Sequence, residues 1–162
     1  MSVTLRYSGT LDDPALLPRL REEFQDIAAA NQWPVDLLER VAPNGKPAGG
    51  RLLAPPLVVE GLKLVVHPQT DPLWLTFDPQ GVLTRLDPYP LGLDQVPTRY
   101  GFLQQAQASM QTGIGGSELH RTVVGLLDYL KRAYVGDLRV LDDSGYWQSR
   151  DDGALRRLMD RR

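Results

Sequence analysis

The two histidines of the chain, His67 and His120, are the side chains whose type and position are best suited to chemistry. His67 closes the apolar run 62–66, and Asp71 follows it four residues later. A histidine and a carboxylate in one loop can form a general-base pair or half of a metal site, because the carboxylate would fix the imidazole tautomer. The alternative, which we favour, is that both are turn residues that bond to the backbone beside prolines.

His120 falls in the first turn of a predicted helix, on the side of that helix's apolar residues. The positive helix end favours the neutral imidazole, which can serve as a ligand or a base. A single histidine at an apolar edge is more often a packed residue with one hydrogen bond. Convergence of His67 and His120, with Gln111 or Asp71 beside them, would instead indicate a functional site.

The glycine-rich segment 113–117 precedes the same helix, and its backbone N–H groups could hold an anion. It lacks the lysine of a phosphate-binding loop, and Glu118 stands where the dinucleotide-binding pattern has its third glycine. We expect the glycines to serve backbone geometry and Ser117 to cap the helix.

Tyr146 and Trp147 follow Gly145, and we expect them to pack on the core; the alternative is an exposed stacking platform. The candidate residues of a ligand or partner site are therefore His67, Asp71, Gln111, His120, Tyr146 and Trp147. No metal is expected in the leading interpretation. The alternative is a metal site made by His67, His120 and Asp71.

Composition excludes several classes of function. The chain has no cysteine, which rules out thiolate catalysis and Cys-ligated metals. No cofactor is expected. Lys and Arg number 18 against 20 Asp and Glu, so no overall field favours general nucleic-acid binding. No apolar run approaches the roughly 20 residues of a membrane span, and the first residues lack a signal-peptide pattern, so we expect a cytoplasmic protein without membrane binding.

Periodicity and turn residues predict the order of elements. The predicted strands are 3–7, 35–41, 57–59, 62–66, 73–77, 82–86, 102–112 and 138–141. The alternative for 35–41 is a short helical turn, and the alternative for 102–112 is a helix. Three helices are predicted. The first begins after Asp13 and ends near Asn31, the second begins after Ser117 and ends near Gly136, and the third is a short helix that begins after Asp151. Segments 43–50 and 87–97 are expected to be loops, and Asp78–Gly81 a hairpin turn.

The turns between the middle strands are too short for crossover helices, so the sheet should be largely antiparallel. We predict an α+β fold for residues 1–162 as a single domain. Its form is a two-layer sandwich with two long helices on one face of the sheet and a short C-terminal helix.

Three groups of motifs, spread over most of the chain, occur in an order that resembles other proteins. They are Arg6–Leu11, then Val66-His-Pro68 with Asp71-Pro-Leu73 and Leu75–Asp78, and finally Leu119-His120, Leu127–Lys131, Asp137-Leu138 and Ser144–Trp147. In this order the motifs resemble a group of uncharacterised bacterial proteins of unknown function. The resemblance implies that the stretches around His67, His120 and Trp147 belong to one recurring design, and it implies no activity.

The leading hypothesis is a non-catalytic cytoplasmic module that binds an unknown protein or small-molecule ligand. The alternative is a small metal-assisted enzyme that uses His67, His120 and Asp71, which requires both rings to open into one pocket. A third possibility is a structural subunit or an immunity-type inhibitor, marked by an exposed apolar patch. The oligomeric state does not follow from the sequence.

Overall fold

Three short antiparallel sheets form the β layer in a computed structural model that describes residues 3–41, 59–90 and 100–160. In the first sheet, β1 (Thr4–Ser8) lies between β7 (Ala108–Gln111) and β8 (Arg139–Asp142). The second has the order β2 (Val35–Val41), β3 (Val59–Leu64) and β4 (Leu73–Phe77), and the third pairs β5 (Arg85–Pro90) with β6 (Tyr100–Gln105). Every one of these pairings is antiparallel, as the short turns predict.

Four helices complete the described part of the chain: α1 (Leu17–Asn31), α2 (Gly116–Ala133), α3 (Tyr146–Ser149) and α4 (Asp152–Met159). Asp13 caps a single 3-10 turn that leads into α1, and Pro18 lies in the first turn of α1, where its missing N–H costs nothing. Asp151 caps α4 by accepting a hydrogen bond from the Ala154 N–H. None of the described helices is both long and apolar enough to cross a membrane.

One hydrophobic core joins the first and second sheets to the long helices. Helix α1 contributes Leu20 and Phe24 at helical spacing, and α2 contributes Val123 and Leu127 in the same way. All five residues of β4 are buried, which places that strand in the interior. The α+β fold with antiparallel strands packed against helices is therefore confirmed.

A buried tyrosine connects the first sheet to the second. The Tyr7 hydroxyl donates a hydrogen bond to the Trp74 carbonyl at 2.8 Å and accepts one from the Trp74 N–H at 2.8 Å. Strands β1 and β4 are thus fixed to each other through one side chain.

Several element predictions need correction. Residues 59–64 form one strand rather than two runs broken at Glu60-Gly61, because Gly61 continues the ladder with φ +147°. A Cβ at Gly61 would lie 2.0 Å from the Leu75 carbonyl oxygen, so this close approach of β3 and β4 requires glycine.

Other differences concern how the strands are divided. The predicted loop 87–97 begins as part of β5, which extends to Pro90 and pairs with β6. The predicted strand 102–112 is split between β6 and β7, and the expected single sheet is three smaller sheets. The Asp78–Gly81 turn is confirmed by a hydrogen bond from the Gly81 N–H to the Asp78 carbonyl. Segments 43–50 and 91–97, together with residues 57–58 of the predicted strand 57–59, lie outside the described residues.

Candidate functional site

The candidate residues divide into a buried group around His120 and an exposed group around His67. His120 lies on α2 and is 0% exposed. Its Nδ1 lies 2.7 Å from the Oγ1 of Thr112, and its Nε2 lies 2.9 Å from Oδ2 of Asp142 at the end of β8. Thr112 is also 0% exposed, so the centre of this group is sealed from solvent.

The Asp142 carboxylate has its hydrogen-bonding capacity filled. Oδ1 accepts bonds from the N–H and the hydroxyl of Ser144, at 2.8 and 2.7 Å, and Oδ2 accepts from His120 and from the Trp147 N–H at 2.9 Å. Burial acts to raise the pKa of Asp142, but the hydrogen bonds from His120 and Ser144 outweigh it and hold the pKa at about 2. An ionised Asp142 accepts only, so Nε2 carries a proton. In the neutral ring, Nδ1 then accepts from the Thr112 hydroxyl.

A hydroxyl, an imidazole and a carboxylate in this order resemble the hydrogen-bonded chain of a hydrolase triad. Thr112 is inaccessible, however. Ser144 is half-buried and its Oγ lies 3.1 Å from Nε2 of His120, but its hydroxyl donates to Asp142 Oδ1 at 2.7 Å. Because Nε2 already carries a proton, it cannot take one from Ser144, so the arrangement provides no activated nucleophile. Its effect is to fix the turn after β8, and with it α3, against α2.

Tyr146 and Trp147 are part of this fixed region. Both are half-buried and pack against the core, and the Tyr146 ring meets the His120 ring edge-on at 6.1 Å between centroids. The Arg150 guanidinium covers Trp147 at 4.7 Å and is paired with Asp128. This geometry is that of packing rather than of an open stacking platform.

His67 lies in the turn between β3 and β4, and its hydrogen bonds are local. Nδ1 accepts from the Gln69 N–H at 3.1 Å, and the His67 carbonyl accepts from the N–H and the hydroxyl of Thr70. Asp71 is exposed, and no hydrogen bond joins it to His67 in the described part of the chain. The turn interpretation agrees with this geometry for His67, whereas the Asp71 carboxylate bonds to no backbone group among the described residues.

Two surface clefts flank this turn. The first, which we call the amide cleft, has a volume of about 410 Å³ and is lined by Gln69, Thr70, Asp71, Gln111 and Ile114, among others. The second, the indole cleft, has a volume of about 230 Å³ and is lined by Trp33, Val66, His67, Glu118 and Leu119, among others. The structure thus brings His67, Asp71 and Gln111 to one surface.

The glycine-rich segment 113–117, for which anion binding was the less favoured alternative, is already occupied by a carboxylate of the chain. The Ser117 N–H donates to Asp160 Oδ1 at 2.9 Å, and the Ser117 hydroxyl donates to Asp160 Oδ2. These bonds lower the pKa of Asp160. The prediction that Ser117 caps α2 is wrong, because α2 begins at Gly116 and the capping carboxylate arrives from the end of α4.

The alternative metal site is not assembled. Across residues 3–41, 59–90 and 100–160, no three His, Asp or Glu side chains lie together in a way that could hold a metal ion, so His67, His120 and Asp71 form no such set. Both ring nitrogens of His120 are engaged by side chains of the protein.

Sequence reasoning missed Thr112, Asp142 and Ser144 as the partners of His120. The run Asp142–Gly145 is typical of a turn in which an aspartate accepts from the backbone two residues later, and this bond is present. No spacing in the sequence links that turn to a histidine 22 residues earlier. Trp33 and Glu118 were also missed as lining residues of a cleft.

Comparison of the chain with protein-family models, with curated proteins and with solved structures finds no significant match. The resemblance to uncharacterised bacterial proteins stays a prediction, and any functional assignment depends on the geometry above.

Proposed function

We propose that the chain is a non-catalytic binding module of the cytoplasm, which holds a protein or small-molecule ligand at the amide and indole clefts. One observation carries the proposal: the groups with catalytic chemistry satisfy one another in the interior, whereas the polar groups around the His67 turn face open clefts. Throughout the described residues, no hydrogen bond or ion pair engages the carboxylate of Asp71 or the side-chain amides of Gln69 and Gln111. Such groups are available to a ligand.

A metal-assisted enzyme is the competing class, and it predicts a bound metal. Elemental analysis of untagged protein tests it, with His67→Ala as the matched variant because His67 is half-buried and its bonds are local. A stoichiometric metal in the wild type that is lost in His67→Ala would overturn the binding-module proposal. We expect no such loss.

Fragment screening by backbone-amide NMR tests the location of the site. We expect the shifted amides to cluster at residues 69–71 and 111–114, and we expect Gln111→Trp, which places a bulky ring at the amide cleft, to weaken these hits at least tenfold. Gln80→Trp, the same substitution at an exposed position of the Asp78–Gly81 turn, is the matched control and should change affinities less than twofold. Hits that cluster elsewhere, or that both variants weaken equally, would contradict the proposal.

A further inference from the structure

We infer that the ligand of the two clefts is an extended basic segment of a partner protein, with Arg or Lys side chains directed to Asp71 and Glu118. This inference rests on the proposed function and specifies the chemistry of its ligand.

The charge of the clefts is the first argument. Asp71 lies on the amide cleft and Glu118 on the indole cleft, and both are exposed. No Lys or Arg is among the described residues that line either cleft, and no ion pair between described residues engages either carboxylate. Two carboxylates without a counter-charge favour a cationic ligand and accelerate its association.

The composition of the indole cleft is the second argument. Trp33 supplies an aromatic ring, Val66 and Leu119 supply apolar surface, and Glu118 supplies the charge. An Arg or Lys side chain matches this combination, because its methylene stem covers apolar surface while its cationic head interacts with the ring and the carboxylate.

The arrangement of the clefts indicates a peptide rather than a small cation. Residues 66–67 line the indole cleft and residues 69–71 line the amide cleft, so the two lie on either side of one turn. A small cation fills one cleft, whereas an extended chain reaches both. The amides of Gln69 and Gln111 offer donors and acceptors to the backbone of such a chain, and the Thr70 hydroxyl, which donates to the His67 carbonyl, offers an acceptor.

The test uses a fluorescein-labelled, N-acetylated nonapeptide in which Arg alternates with Ser, and a matched peptide with Glu in place of Arg. Anisotropy titrations with the full chain at low salt should show binding of the Arg peptide at least tenfold tighter than of the Glu peptide. Asp71→Asn/Glu118→Gln should weaken the Arg peptide at least tenfold. Glu22→Gln/Asp26→Asn, which removes the same charge from exposed positions of α1, should weaken it less than twofold.

Five outcomes would overturn the inference. Equal affinity for both peptides, or equal weakening by the two double variants, would exclude recognition of charge at the clefts. Free arginine amide that displaces the Arg peptide at a concentration equal to the peptide's own Kd would identify a small cation as the occupant. Neutral fragments that bind the clefts while the Arg peptide does not would overturn the ligand class alone, and absence of both would overturn the binding module as well.

Discussion

His67 and His120 have the same side chain, yet their surroundings in the structure are opposite: Asp142 binds the ring of His120, whereas no carboxylate among the described residues binds the ring of His67. His120 is 0% exposed and is bonded at both ring nitrogens to Thr112 and Asp142. His67 is half-buried, bonds only to its own turn, and borders a cleft. The histidine in the more catalytic-looking arrangement is therefore the one that a substrate cannot reach.

The difference follows from the cost of burial. A polar group inside the protein must be hydrogen-bonded, so a buried histidine collects partners whether or not it has any chemical role. A polar group at the surface is solvated by water and keeps its capacity for a ligand. Saturated hydrogen bonding around His120 thus indicates a structural role, and the unsaturated groups around the His67 turn are the basis of the proposed binding surface.

The largest expected difference is in the free energy of unfolding when the imidazole of His120 or of His67 is removed. His120→Ala leaves the buried Asp142 carboxylate without its main partner, which should lower the free energy of unfolding by about 3–5 kcal/mol. His67→Ala should change it by less than about 0.5 kcal/mol. Urea denaturation followed by circular dichroism measures both. Similar losses in the two variants would show that His67 also has a structural role.

A smaller loss of stability is expected when the Thr112 hydroxyl, which bonds to Nδ1 of His120, is removed. Thr112→Val keeps the shape of the side chain but leaves Nδ1 of His120 buried and unpaired, which should cost about 1–3 kcal/mol by the same denaturation measurement. Thr112→Ser should recover most of the loss. Thr122→Val, which removes an exposed hydroxyl that bonds only to the Glu118 carbonyl, is the control and should be nearly neutral. A neutral Thr112→Val would mean that water or another group satisfies the ring.

The smallest effect is a dependence on acid. The pKa of Asp142 falls from an ordinary 3.8 to about 2 on folding. Its contribution is therefore fully present above pH 4 and is lost as the pH falls towards 2. Between pH 5 and pH 2.5, wild-type protein should lose on the order of 1–2 kcal/mol more than Asp142→Asn. Parallel loss in the two proteins would indicate that other carboxylates dominate acid unfolding.

The fold was predictable where the signal is local. Helix α1 follows from Asp13, Pro14 and the apolar spacing that Leu20 and Phe24 share, and its end at Asn31 was predicted within a residue. Strand β4 and its following turn were equally clear. Strand β5 was not, because prolines and aspartate at 87–90 are typical of loops and only pairing with β6 makes them a strand.

The site was predictable in its residues but not in their grouping. His67, Asp71 and Gln111 were singled out from the sequence, and they meet at one surface because β7 ends near the turn that follows β3. Thr112, Asp142 and Ser144 were not, since their connection to His120 exists only after β1 brings β7 and β8 together. The capping of α2 by Asp160 is another contact across 43 residues that no local pattern encodes.

The Tyr7 hydroxyl has a consequence for how the sheets can move. Because it both donates to and accepts from the backbone of Trp74, a slide of β1 along β4 by one residue, about 3.3 Å, would break the two bonds at once. Burial raises the pKa of Tyr7, so the hydroxyl keeps its proton and its donor role even in mildly alkaline solution. The Tyr7 hydroxyl thus fixes the position of β1 relative to β4. Neither phenylalanine nor any aliphatic residue can make these two hydrogen bonds.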